Sequence, residues 1–151
     1  MPKGGISLKK DYLSMVENIV TKVESSDPFR ICKYLDIDVF FCPLGSLKAY
    51  TTTNYRIKTI HINDSLNEVD AYYSCAHELG HILLKHDYNK IWMANNTFYN
   101  RNKFENDANL FAMNLLLYPF LDDIKNMEYP SNDNISRLTG IPIEYINSFR
   151  T

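Results

Sequence analysis

Two histidines four positions apart, in the run His77-Glu78-Leu79-Gly80-His81, constrain this chain more than any other feature. Four residues at about 100° each return a helical side chain to within about 40° of its starting direction, so in a helix both imidazoles share one face. One metal ion can then bind both. Zinc suits the pair, because neutral imidazole nitrogen is among its preferred ligands and three protein ligands leave a fourth position open for water. Glu78 is turned about 100° from His77 and about 60° from His81. That is too far to join the metal easily, but it suits a general base that takes a proton from water, as in a zinc peptidase.

Five residues with three fixed also arise by chance on solvated helix faces. The flanks weigh against that here. In a helix from about Leu66 to Lys85, the residues Asp70, Ser74, His77, Glu78, His81 and Lys85 fall within a sector of about 100°. Val69, Tyr72, Tyr73, Ala76, Leu79, Gly80, Leu83 and Leu84 occupy the broad opposite side. A helix with so narrow a polar stripe is buried almost all round, and its stripe lines a cleft. Ser65 and Glu68 form the S-x-x-E pattern of a capping box and mark the helix entry.

At 151 residues the chain fits one domain, spanning 1–151, with a sizeable core. Its 16 basic and 18 acidic residues leave a formal charge of -2, which gives no broad electrostatic reason to expect nucleic acid or an anionic membrane as partner. Cys32, Cys42 and Cys75 are an odd number without metal or redox spacing and read as reduced, mostly buried thiols. The polar sequence after Met1-Pro2-Lys3-Gly4-Gly5 lacks an apolar signal core, and no apolar run has the length of a membrane span. A soluble cytoplasmic protein is the expectation.

Along the chain, Tyr12, Leu13, Val16, Ile19, Val20 and Val23 recur at helical spacing from about Leu8 to Val23. Asp27-Pro28 offers a cap and a first-turn proline for a short helix through about Leu35. Strands are expected over Asp38 to Pro43, Leu47 to Thr52 and Arg56 to Ile62, the last two separated by a Thr53-Asn54-Tyr55 turn. A polar stretch after His86-Asp87 reads as a loop flanking the cleft, anchored by Ile91, Trp92 and Met93. Helical spacing returns from about Lys103 to Leu117 and ends near Pro119, and Gly140 separates short helices over about Asn132 to Leu138 and Pro142 to Phe149. The fold class is α+β, with a small, largely antiparallel sheet packed with helices.

A catalytic zinc held by two histidines needs a third donor. A helix continued to His86 aims that side chain about 140° from His81. Asp87 would need the chain to turn back, and Leu84 stands where extended motifs of this kind carry glycine. His61 is more simply a strand side chain. Glu105 has the best surroundings: with Ala108, Asn109, Ala112 and Leu116 it shares one helix face, and the small residues Ala76 and Gly80 on the histidine helix permit close approach. Asn109 is placed to accept a ring N–H from a metal-bound histidine.

The runs A-H-E-L-G-H-I-L-L at Ala76 to Leu84 and E-N-D-A-N-L-F-A-M-N-L-L-L-Y-P at Glu105 to Pro119 resemble the ImmA/IrrE family of zinc peptidases. The second matches the family's E-x-x-A-N-x-F-A pattern with its following leucines and proline. The resemblance implies a zincin-like domain with a gluzincin-like site, in which His77, His81 and Glu105 hold Zn2+ and Glu78 is the catalytic base. Many relatives cleave a helix-turn-helix transcriptional repressor encoded by a mobile element or a stress-response system, so a protein substrate of that kind is the expected partner.

The expected reaction is peptide hydrolysis, with a further donor for the tetrahedral oxyanion from among Tyr88, Tyr99 and His86. An extended substrate is expected to pair with an exposed edge strand beside the cleft, with Arg56 to Ile62 as candidate. Two other functions compete with an enzyme. One is a zinc-containing protein that grips a regulator without cutting it. The other makes residues 135–149 a helix-turn-helix that binds DNA, and Pro142, Glu144 and the scarcity of basic residues count against it.

Overall fold

The structure is a computed structural model, and it describes residues 10–85 and 98–150. Helix α1, Lys10–Val23, lies along the body of the fold with Val16 fully buried. Helix α2, Pro28–Tyr34, starts as its sequence dictates: the Asp27 carboxylate accepts the Phe29 N–H at 2.9 Å and proline takes the first helical position. Three strands follow, β1 (Asp38–Cys42), β2 (Ala49–Asn54) and β3 (Ile57–Asn63).

The sheet order is β1-β3-β2, with β3 antiparallel to β2 and parallel to β1. The sheet is therefore mixed, and the antiparallel expectation holds for the hairpin alone. The reason is burial. Ile60 and Ile62 are fully buried on the face that meets the helices, which makes β3 the strand worth covering on both edges. The strand expected over Arg56 to Ile62 is thus central, and β2 is an outer strand. The β2–β3 turn is Tyr55-Arg56, two residues beyond the start of the expected turn, with φ of 50° and 70°. Two successive positive φ values make the type I′ hairpin that matches strand twist.

Helix α3, Glu68–Leu83, carries the two histidines. Its cap is Asn67, whose side chain accepts the Asp70 N–H at 2.8 Å, and the Ser65 capping box does not form. Ser65 is instead engaged by Asn63, whose Oδ1 accepts both its N–H at 3.1 Å and its hydroxyl at 2.9 Å. Helix α4, Phe98–Leu117, begins five residues earlier than its spacing indicates and runs into a 3-10 turn, Tyr118–Phe120. A short helix α5, Leu121–Lys125, follows, which periodicity had not marked. Helices α6, Asn132–Thr139, and α7, Ile143–Arg150, flank Gly140, which ends α6 at φ 75° where a side chain is disfavoured.

Among the described elements the α3–α4 contact is the most extensive. Small residues set its spacing. Ala76, Ala108 and Ala112 are fully buried, and a Cβ added at Gly80 would meet Ala108 Cα and O at 3.3 Å each and Phe111 Cδ1 at 3.1 Å. Leu79, Phe111, Leu115 and Cys75 fill the surrounding core. Cys32 and Cys75 are buried free thiols, while Cys42 is half-buried and also free. Among the described residues no helix is long and apolar enough to cross a membrane.

Replacing Gly80 by Val tests the α3–α4 spacing. Overfilling a contact closed by backbone atoms should lower unfolding free energy by about 2 kcal/mol, despite the slightly better helix propensity of Val. Urea denaturation reads this as a lower midpoint at unchanged slope.

Candidate metal centre

The third and fourth turns of α3 present His77, Glu78 and His81, and the second turn of α4 presents Glu105 opposite them. The two imidazole Nε2 atoms stand 3.1 Å apart. Glu105 reaches both, with Oε1 at 3.2 Å from His77 Nε2 and Oε2 at 2.9 Å from His81 Nε2. Donors bonded to zinc at about 2.0–2.1 Å lie about 3.3 Å apart along a tetrahedral edge. The observed separations are close to that edge. Two imidazole nitrogens and one carboxylate oxygen are a donor set that suits zinc and leaves one position free.

Glu78 also lies within range. His77, Glu78 and His81 place ligand atoms within 4.8 Å of one another and form a group that can hold a metal ion. Distance separates the two carboxylates: Glu78 Oε2 is 3.9 Å from His77 Nε2, farther than either Glu105 contact. Its other oxygen, Oε1, accepts the hydroxyl of Thr51 on β2 at 2.7 Å. Glu78 and His81 are buried, whereas the Glu105 side chain is 44 % exposed, so the cluster opens to solvent on the α4 side.

Electrostatics bind His77 to this arrangement. Burial pulls its imidazole pKa down, but the hydrogen bond and charge of Glu105, with smaller contributions from Glu78 and Asn109, outweigh that and raise it. The Asn109 Oδ1, expected to accept a histidine ring N–H, instead accepts the Tyr73 hydroxyl at 3.0 Å. His77 Nδ1 is buried without a partner at hydrogen-bond geometry among the described residues. Burial and the Glu105 charge push the Tyr73 phenol up to about 12, which keeps it a neutral donor. Tyr73 in turn stacks on Tyr145 of α7 at 4.3 Å, and the Tyr145 hydroxyl donates to Asp70 Oδ1.

Of the residues read as candidates, His77, Glu78, His81 and Glu105 come together. His61 does not. It lies on the opposite sheet face, stacked on Tyr50 at 4.5 Å and 3.0 Å from Thr52 Oγ1. His86, Asp87, Tyr88 and the polar loop expected after them lie outside the described residues, as does the side chain of Tyr99. Tyr73, its stacking partner Tyr145, and Thr51 were missed. Tyr73 precedes His77 by one helical turn, a spacing that could have drawn notice. Thr51 carries no local mark at all, because only the sheet register brings it to Glu78.

Comparison with known proteins places the chain in a family. The profile of a peptidase family described as the IrrE N-terminal-like domain matches residues 32–148. An immunity region protein of Bacillus phage phi105, immunity region protein 2, is 32 % identical over 131 residues, covering 85 % of this chain and 82 % of the phage protein. Among solved structures, a Mycobacterium tuberculosis transcriptional regulator shares the fold with a TM-score of 0.64 at 16 % identity. The match covers 91 % of this chain but only 45 % of the regulator's. With its matched region holding the histidine pair, Glu78 and Glu105, the chain belongs to the ImmA/IrrE family of IrrE N-terminal-like peptidase domains.

Proposed function

We propose that this protein is a zinc-dependent endopeptidase whose substrate is a helix-turn-helix transcriptional repressor. The observation that carries the enzyme reading is the convergence of His77, His81 and Glu105 donors within 2.9–3.2 Å, with Glu78 Oε2 facing them. The phage relative supports the substrate, since it is an immunity region protein. His77, His81 and Glu105 are the residues that would hold the metal. A zinc ion held there would supply Lewis acidity, polarising a scissile carbonyl and lowering the pKa of water. Glu78 accepts the proton of the attacking water and returns it to the leaving amine.

The substrate chain binds along β2. Among the described residues this strand pairs only with β3, so its other edge offers backbone donors and acceptors to an extended peptide. β2 replaces the Arg56 to Ile62 strand in that role, since β3 has both edges covered. Thr51 on the same strand touches Glu78, which sets the peptide-binding edge beside the base. The DNA-binding reading of residues 135–149 loses support: Ile135, Ile141 and Ile146 are buried and Tyr145 is stacked inward, while Glu144 and Asn147 are exposed on α7. That leaves an acidic and polar outer face, poor for phosphate.

Co-expression with a repressor encoded beside this gene, followed by mass spectrometry, tests the function directly: discrete fragments are expected. Glu78→Gln should retain zinc and slow cleavage by about 10²–10⁴-fold. Undiminished cleavage would remove Glu78 from the chemistry. Glu105→Ala should lose zinc to a mild chelator, while His61→Ala, His86→Ala and Asp87→Ala keep wild-type metal content.

The raised His77 pKa makes a pH-dependent prediction for metal-free protein. A raised folded value means the charged imidazole stabilises the fold below its unfolded pKa of about 6.5, and this is lost as pH rises through the folded value. The stability difference between wild type and His77→Gln, measured in chelator by urea denaturation, should therefore be larger at about pH 5.5 than at about pH 9. Zinc affinity should run the other way, because binding requires neutral imidazole. For the tail, footprinting on DNA around the gene with the purified protein should show no salt-resistant protection.

A further inference from the structure

The register of β2 gives Thr51 two tasks on opposite sides. The Asn63 N–H donates to the Lys48 carbonyl at 2.8 Å, extending the β2–β3 ladder by one pair. Hydrogen-bonded and non-hydrogen-bonded pairs alternate along an antiparallel ladder. Tyr50–His61 and Thr52–Thr59 are then bonded pairs, and Ala49, Thr51 and Thr53 turn their N–H and C=O groups away from β3, to the outer edge. Side chains alternate too, and Thr51, opposite the buried Ile60, points to the face covered by α3. There its hydroxyl donates to Glu78 Oε1 at 2.7 Å.

A buried carboxylate with one oxygen held in this way has its terminal rotation fixed. Turning Glu78 would break the Thr51 bond, so Oε2 stays on the side of the His77–His81–Glu105 cluster, 3.9 Å from His77 Nε2. We propose that Thr51 is the positioning residue of Glu78, with its hydroxyl fixing which carboxylate oxygen faces the metal centre and its backbone joining the peptide that pairs with β2. One residue thereby sets the register between a bound peptide and the base. The inference rests on reading Glu78 as the proton acceptor. A purely structural tie between β2 and α3 would require only that losing the bond lower stability.

The test uses full-length protein loaded with Co2+ and acetohydroxamate as probe, since a hydroxamate chelates the metal while hydrogen-bonding to the base carboxylate. Affinity is read from the visible spectrum for wild type, Thr51→Val, Thr51→Ser, Glu78→Gln and the Thr51→Val/Glu78→Gln double variant. Thr51→Val should keep metal content and lose about tenfold or more in hydroxamate affinity, a range set by hydrogen bonds to charged groups. Thr51→Ser should restore it, and Thr51→Val should add nothing in the Glu78→Gln background. With a cleaved repressor as substrate, Thr51→Val should lower kcat at unchanged KM. Wild-type affinity in Thr51→Val, failure of Thr51→Ser to restore it, or independent addition of the two effects would overturn the assignment. Should Thr51→Val fail to fold, Thr51→Ala carries the same comparison. If Glu78→Gln itself leaves hydroxamate affinity unchanged, the reading of Glu78 as base falls; if only Thr51→Val is silent, that reading stands and the Thr51 assignment alone is lost.

Discussion

The close contact of α3 and α4 around Gly80 is the constraint on which the rest depends. Two helices pack about 8–10 Å apart according to the side chains between them. With Gly80 against the Ala108 backbone, the spacing is set by atoms that cannot move aside. His77 and His81 sit on one of these helices and Glu105 on the other, so the same contact fixes the distance between imidazoles and carboxylate. Donor spacing is thus inherited from core packing. A donor cluster built on rigid helices needs little reorganisation to bind a metal ion.

The sheet supplies what the helix pair lacks. Among the described residues the hydrogen bond that orients the Glu78 carboxylate comes from the Thr51 hydroxyl on β2 and from neither α3 nor α4. β2 can carry that role because β3, with Ile60 and Ile62 buried beneath it, is anchored to α3 and holds β2 in register. The mixed topology follows from the same burial. A central β3 protects both its edges and leaves β2 outermost beside the site.

The far end of the chain reaches the centre through stacked rings. Tyr145 on α7 lies on Tyr73, and Tyr73 donates to Asn109, which stands next to His77 and favours its charged form. Offset aromatic pairs of this kind contribute about 0.5–1.5 kcal/mol beyond area burial. The terminal helices, whose turn-separated pattern invites comparison with a DNA-binding motif, therefore pack on each other and, through α7, on α4, and Tyr145 carries the contact on to Tyr73 and Asp70 of α3 behind the candidate metal centre.

The sequence by itself determined the histidine pair, its helix and the small-residue contact facing Glu105, because these are local periodicities: four residues return a side chain to one face, and alanine or glycine at that spacing marks a close approach. It also located α2 through Asp27-Pro28 and the break at Gly140, where single-residue chemistry decides the backbone. Only the tertiary structure decided which strand is central, since Ile60 and Ile62 announce burial but not whether neighbours lie on one edge or both. The cap of α3 passed from Ser65 to Asn67 because Asn63 had already engaged Ser65, a competition among adjacent polar groups that no spacing rule resolves. Thr51, Tyr73 and Tyr145 joined the site for a similar reason. Their roles come from contacts between elements 27 to 75 residues apart in the chain, and sequence periodicity carries no information about which faces of distant elements meet.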